Sequence, residues 1–101
     1  MTAKENQLLA DFIGLDYQQP EPNDSILFDY RNNPIQFERD WNLLMGVWDK
    51  IRKIGATDLK TDYGSLKQAQ SSIANYLNYG GIDNVFSEIV NFIEWFNQNK
   101  M

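Results

Sequence analysis

Apolar residues recur along this chain with the three-to-four-residue period of amphipathic helices in four stretches. The first runs from about Ala3 to Ile13, where Leu8 with Phe12 and Leu9 with Ile13 form i, i+4 pairs. Thr2 and Glu5 match a capping box, and Gly14 is placed to stop the helix. The second stretch has the clearest boundaries. Asn33 is a suitable N-cap, Pro34 suits the first helical position, Gln36 completes a capping box, and Gly55 ends the pattern. Phe37, Trp41, Leu44, Trp48 and Ile51 share a face with Met45, Val47 and Ile54, an arc covering roughly half the circumference. Such an arc predicts a central helix touched from two sides. Glu38 and Asp40 near its start, and Lys50, Arg52 and Lys53 near its end, complement the helix dipole.

Ser65 with Gln68 predicts the start of a third helix reaching Tyr79, with Leu66, Ala69, Ile73, Tyr76 and Leu77 inward. Gly80-Gly81 breaks it. Asp83 or Asn84 then caps a fourth, ending near Gln98, with Val85, Phe86, Ile89, Val90, Phe92, Ile93 and Phe96 on one broad side. Between the first two helices, residues 16–25 carry Pro20 and Pro22 and read as a loop. Ile26–Tyr30 reads as a short strand or extended segment, and residues 56–64 as a loop with one short strand near Leu59. The expected fold is mainly α, about four helices in a single domain over residues 1–101, with at most a small β element from 26–30 and 57–60. The alternative is an α+β arrangement with helices packed on a small sheet.

Composition narrows the chemistry more than it identifies it. The chain contains neither Cys nor His, so disulfides, Cys/His zinc sites and Ser-His-Asp or Cys-His catalysis are ruled out. The absence of Cys favours a reducing compartment. A metal site would have to be all-oxygen, and the pattern of a calcium-binding EF-hand loop is absent. Nothing calls for a cofactor: Gly80-Gly81 precedes no lysine, so it reads as a helix break and not a phosphate loop. Nine basic residues against 14 acidic ones give a net charge of −5, which argues against direct nucleic-acid binding and against anionic membranes. The start of the chain lacks the pattern of a signal peptide, and no apolar run has the length of a membrane span. A cytoplasmic location is the expectation, and binding is expected in place of enzymatic activity.

Candidate contact residues follow from misfits in the pattern. Trp95 falls among Asn84, Asn91 and Glu88 on the polar side of the fourth helix. Either a neighbouring segment, such as the first helix or the loop after it, covers the ring, or Trp95 anchors a partner with Asn91 and Glu94 beside it. Asp40 falls within the apolar arc of the second helix. It is either a second-turn carboxylate reaching water or a partly buried one with a raised pKa. Arg52 at the edge of that arc is expected to snorkel. Asp16, Glu21, Asp24 and Asp29 read as a solvated loop, or as an acidic surface for a basic partner.

Three stretches together resemble a known group. Leu9-Ala10-Asp11-Phe12-Ile13-Gly14 resembles an opening I-A-E-F-M-G element. Residues 41–51, from Trp41 through Leu44-Met45 and Val47 to Lys50-Ile51, resemble a central W-x-x-L-M-x-V-x-x-K-I helix. Residues 88–97, with Phe92-Ile93 and Trp95-Phe96-Asn97, resemble a closing x-V-x-F-I-x-W-Y-N helix. The order is similar to that of small uncharacterised proteins from bacteriophages and prophages, many in Bacteroidetes hosts. The resemblance implies a phage origin and a bacterial cytoplasm, and no assigned activity. It also implies short strands between the central and closing helices, where Ser65–Leu77 here reads as helix. The function expected on these grounds is that of a phage-type accessory protein binding a host or phage protein, with inhibition of a host protein as one form of action. The alternative is a self-assembling structural protein, a homo-oligomer joined through the wide apolar arcs. A small-ligand pocket among the aromatics stands open.

Overall fold

Six buried side chains of the last helix, Val85, Phe86, Ile89, Val90, Phe92 and Ile93, form the apolar axis on which the other elements pack. The computed structural model describes residues 3–60 and 63–100, with the backbone alone described at 56 and 63. Its elements are α1 (Ala3–Ile13), β1 (Leu27–Phe28), β2 (Pro34–Ile35), α2 (Trp41–Ile51), α3 (Tyr63–Tyr79) and α4 (Ile82–Asn99). The fold is mainly α with a small β element, as expected, and that element is an antiparallel hairpin between β1 and β2. Helices α1, α2 and α3 each contact α4. Leu9, Leu44, Val47, Ile51, Leu66 and Ile73 are fully buried from the facing helices. Each such side chain contributes about 1.5–3 kcal/mol over its exposed state.

The direction of the helices is fixed by contacts at both ends. Asn6 of α1 lies beside Phe37 and Glu38, just ahead of α2. Asp83 in the first turn of α4 shares a crevice with Glu38 and Arg39. At the opposite end Lys50 Nζ of α2 donates to the carbonyl of Phe12 in α1. There, too, the rings of Phe12 and Phe96 meet edge to face, 5.8 Å apart. Helices α1, α2 and α4 therefore run the same way. Helix α3 runs back along α4, and Gln70 Nε2 reaches Ile51 O at 2.9 Å. The α3–α4 turn is tight. A Cβ on Gly80 would lie 3.0 Å from the carbonyl oxygen of Tyr76 and 3.2 Å from Cβ of Asn84.

The second helix begins seven residues later than Asn33 and Pro34 predict. Those two belong to the hairpin, in which Leu27 pairs with Ile35 and Phe28 with Pro34. Asp29 gathers the turn by accepting from the backbone N–H of Arg31 at 2.8 Å and of Asn33 at 2.9 Å. Asn32 adopts the left-handed region (φ 64°) that its short polar side chain tolerates. Burying Leu27 and Ile35 together outweighs the local helix signal. A 3-10 turn, Phe37–Arg39, follows, and α2 starts at Trp41 with Asp40 as its N-cap. It ends at Ile51, because the N–H groups of Lys53 and Ile54 donate to Lys50 O and Ile51 O in tighter i, i+3 hydrogen bonds before Gly55.

Smaller corrections share that cause. Strand β1 pairs with β2 and not with residues 57–60; Leu59 instead forms an isolated bridge with Lys100. Ser65 sits within the first turn of α3, which already includes Tyr63. The cap of α4 is the backbone of Gly81, with Asp83 and Asn84 inside the helix. Gly14 does end α1, in the left-handed region at φ 75°. Thr2 of the expected capping box lies outside the described residues.

Among the described residues Asn6 is the one polar residue in the buried set, 1% exposed. Its Oδ1 accepts from the backbone N–H of Phe37 at 2.9 Å, and its Nδ2 donates to the Glu38 carboxylate at 3.1 Å. Replacing Asn6 by Ala strands a buried backbone donor. The expected cost is about 2–3 kcal/mol, read as a lower midpoint in urea unfolding at unchanged m-value. Asn6→Asp, which keeps an acceptor but sets a charge beside Glu38, should also destabilise.

The backbone N–H of Asn33, with that of Arg31, holds the Asp29 carboxyl below its usual 3.8. The hairpin turn therefore gains stability above pH 3.8 and loses it as pH falls through the lower folded value. Amide shifts of Arg31 and Asn33 should follow that titration in an acid series. A flat response at both amides counts against the Asp29 turn.

Candidate functional site

Two surfaces compete for the role of contact site, and the first is the one predicted from sequence. Asn91 and Trp95 line one crevice on α4, and Glu94 is not part of it. Trp95 is half-buried, tilted against Phe92 with ring centroids 5.7 Å apart. It borders a shallow crevice of about 130 Å³ with Asn91 and with Ala69 and Ser72 of α3. The cover is thus α3, not the first helix or the loop after it. Glu94 is exposed and borders a separate groove between α1 and α4, beside Leu8 and Val90.

Asp40 does not join them. It stands at the start of α2 with its carboxylate accepting from the N–H groups of Asn42 (3.0 Å) and Leu43 (3.3 Å). Its residue is exposed, so it is neither a second-turn group nor part of the apolar arc. The shift of the helix start by seven residues is the reason. Arg52 likewise does not snorkel: it is exposed and pairs with Asp49 at 2.6 Å.

Several acidic residues have local partners. Asp29 holds the hairpin turn, Asp24 accepts from Glu21 N at 2.9 Å, and Asp58 accepts from Gly55 N at 2.9 Å. Asp11 accepts from the Tyr17 hydroxyl at 2.6 Å. Partial burial first, and that carboxylate second, push the Tyr17 pKa up. Among the described residues no group of three or more carboxylates is placed to hold a metal ion. No helix among them is long and apolar enough to cross a membrane.

The second surface escaped the sequence reading. Ile26, Phe28 and Tyr30 are exposed on one side of the β1 segment while Leu27 is buried on the other. Pro34 lies opposite Phe28 and extends that apolar face. Ile26 borders a crevice with Gln36, Arg39 and Asp83, which joins the hairpin to the end of the bundle where α2 and α4 begin. Trp41, the first residue of α2, is 43% exposed, and Tyr79, the last of α3, is 90% exposed at the same end. The phase of Trp41 along the helix points inward. Its position in the first turn puts it beyond the end of the core, a fact only the true helix start reveals. The rings of Tyr30, Trp41 and Tyr79 offer rigid apolar area with one polar tip each, the combination enriched where proteins meet.

Backbone pairing limits what can dock on the hairpin. Gln18 N donates to Phe28 O at 2.8 Å and so occupies the outer edge of β1. Pro34 brings no N–H to β2. An added strand finds little to pair with, so a partner would meet the face.

No family model matches the chain, and neither the curated proteins nor the solved structures contain a match.

The two tryptophans give a direct check. Trp41→Ala should change stability by no more than about 0.5 kcal/mol, as for an exposed position. Trp95→Ala should cost about 3 kcal/mol through lost packing. Acrylamide should quench the Trp41 indole more strongly than the Trp95 indole in variants that keep one of the two, each with Trp48→Phe.

Proposed function

We propose that this protein acts by binding another protein, as an accessory factor of the kind expected in a bacteriophage, and that its contact surface is the aromatic one. The observation that carries the reading is the exposure of Ile26, Phe28, Tyr30, Trp41 and Tyr79 on the hairpin and at the neighbouring end of the bundle; among the described residues the one other exposed large apolar side chain is Tyr76 on α3. Inhibition of a host protein is the form of action we favour, since a small rigid domain with apolar anchors can occlude a site without chemistry of its own.

The placement of charge favours this over mimicry of nucleic acid. A mimic needs a row of free carboxylates, whereas Asp24, Asp29, Asp40, Asp49 and Asp58 hold turns, a helix cap and local ion pairs. Binding through apolar anchors should persist at about 1 M salt, where the screening length is about 3 Å. The test compares proteins captured from a bacterial lysate by the wild type and by Phe28→Ser and Trp41→Ser variants, washed at low and high salt. The expected result is a partner retained at high salt by the wild type and lost by both variants. A partner released by salt, or held equally by the variants, would overturn the assignment of this surface. A native mass above 11.8 kDa that falls to the monomer in the same variants would identify the partner as a second copy.

A further inference from the structure

A concavity of about 460 Å³ opens where α1, α2 and α4 end, and it combines features that the protein-binding reading does not use. Its apolar wall is Leu8, Phe12 and Phe96, the last two in edge-to-face contact. Lys50, Lys100 and Asn97 line its rim, with Asp11 beside them. This volume falls in the range of small-molecule sites, which are mainly apolar with a few polar groups. Lys50 is not a free surface lysine. Its ammonium donates to the Phe12 carbonyl and stands 4.8 Å from the centre of the Phe12 ring. An ammonium has three donors, and the carbonyl takes one, so a located cation with donors to spare remains beside an aromatic wall.

We infer that this crevice binds a small organic monocarboxylate with an apolar or aromatic tail. The carboxylate sits between Lys50 and Lys100, and the tail lies against Leu8, Phe12 and Phe96. Asn97 supplies a further amide donor. Asp11, turned toward the Tyr17 hydroxyl at 2.6 Å, sets the charge limit: a second negative charge on the ligand would meet its carboxylate. One negative charge is matched by two lysines; two are opposed by the aspartate.

The test is a titration of the intact, isotope-labelled 101-residue chain with 3-phenylpropionate, followed through the amide signals of Leu8, Phe12 and Asn97. 3-Phenylpropanol serves as the neutral analogue and phenylsuccinate as the dianion. Saturable shifts are expected with 3-phenylpropionate, and affinity lower by roughly tenfold for the alcohol, the loss of one charge-assisted contact. Phenylsuccinate should bind more weakly than the monoacid. Lys50→Gln and Lys100→Gln should each weaken binding roughly tenfold. Lys100→Gln leaves the Lys50–Phe12 contact in place, so its effect is separable from any loosening of α1. The inference is overturned by absence of saturation up to about 10 mM. Equal binding of acid and alcohol, tighter binding of the dianion, or unchanged binding in Lys100→Gln would overturn it as well. The aromatic surface at the other end takes no part, so the outcome is independent of the partner experiment.

Discussion

Asn6 ties the first helix to the turn that aims the second, and the parallel packing of α1, α2 and α4 depends on that tie. Parallel neighbours cannot be joined by short turns. The chain spends residues 14–40 returning from the end of α1 to the start of α2, and α3 returning from α2 to α4. The first return is irregular and poor in backbone pairing. A buried amide that satisfies the Phe37 N–H while holding Glu38 gives it a fixed terminus. An apolar residue in place of Asn6 would fill the space but leave the donor unpaired.

Parallel packing also gathers like ends of helix dipoles, and the charges are distributed to offset them. The N-terminal end carries Glu5, Asp40 and Asp83, one carboxylate in or at the first turn of each parallel helix. At the other end Lys50 meets the Phe12 carbonyl, Arg52 and Lys53 follow α2, and Lys100 follows α4. Five of the nine basic residues of an acidic chain lie at that end, counting Lys60, whose N–H donates to Asn99 O. Charge that looks dispersed in the sequence is thus polarised along the bundle. The same arrangement separates the two candidate sites. Exposed rings stand near the acidic end and along the hairpin, and the lysine-rimmed crevice stands at the basic end.

Much of the fold was legible, and the failures cluster at boundaries. Helices α1, α3 and α4 follow their apolar periods closely, because each buries a stripe that nothing local contradicts. The start of α2 was misread because Asn33, Pro34 and Gln36 suit a helix start and a hairpin equally. The competing signal was Asp29, four residues before Asn33, whose turn chemistry decides the matter only once Leu27 and Ile35 are known to pack together. That single shift misplaced Asp40, which is a cap, and Trp41, which overhangs the core. Trp95 was rightly singled out as a misfit on α4, yet only the path of α3 shows what half-covers it.

The sequence by itself determined which residues are apolar and at what period, hence four helices and a mainly α domain. It also determined the absence of Cys and His, and with it the loss of most familiar site chemistry. These are local or compositional properties, readable without knowing what touches what. Tertiary structure alone decided that three helices run parallel, that two weak strands pair across a polar turn, and which aromatic rings face water. Each of those outcomes compares the burial of residues far apart in the chain, as when Leu27 meets Ile35 or Phe12 meets Phe96 and Lys50. Long-range burial is worth more than the propensity of any one capping residue, so it sets the boundaries that local signals leave ambiguous.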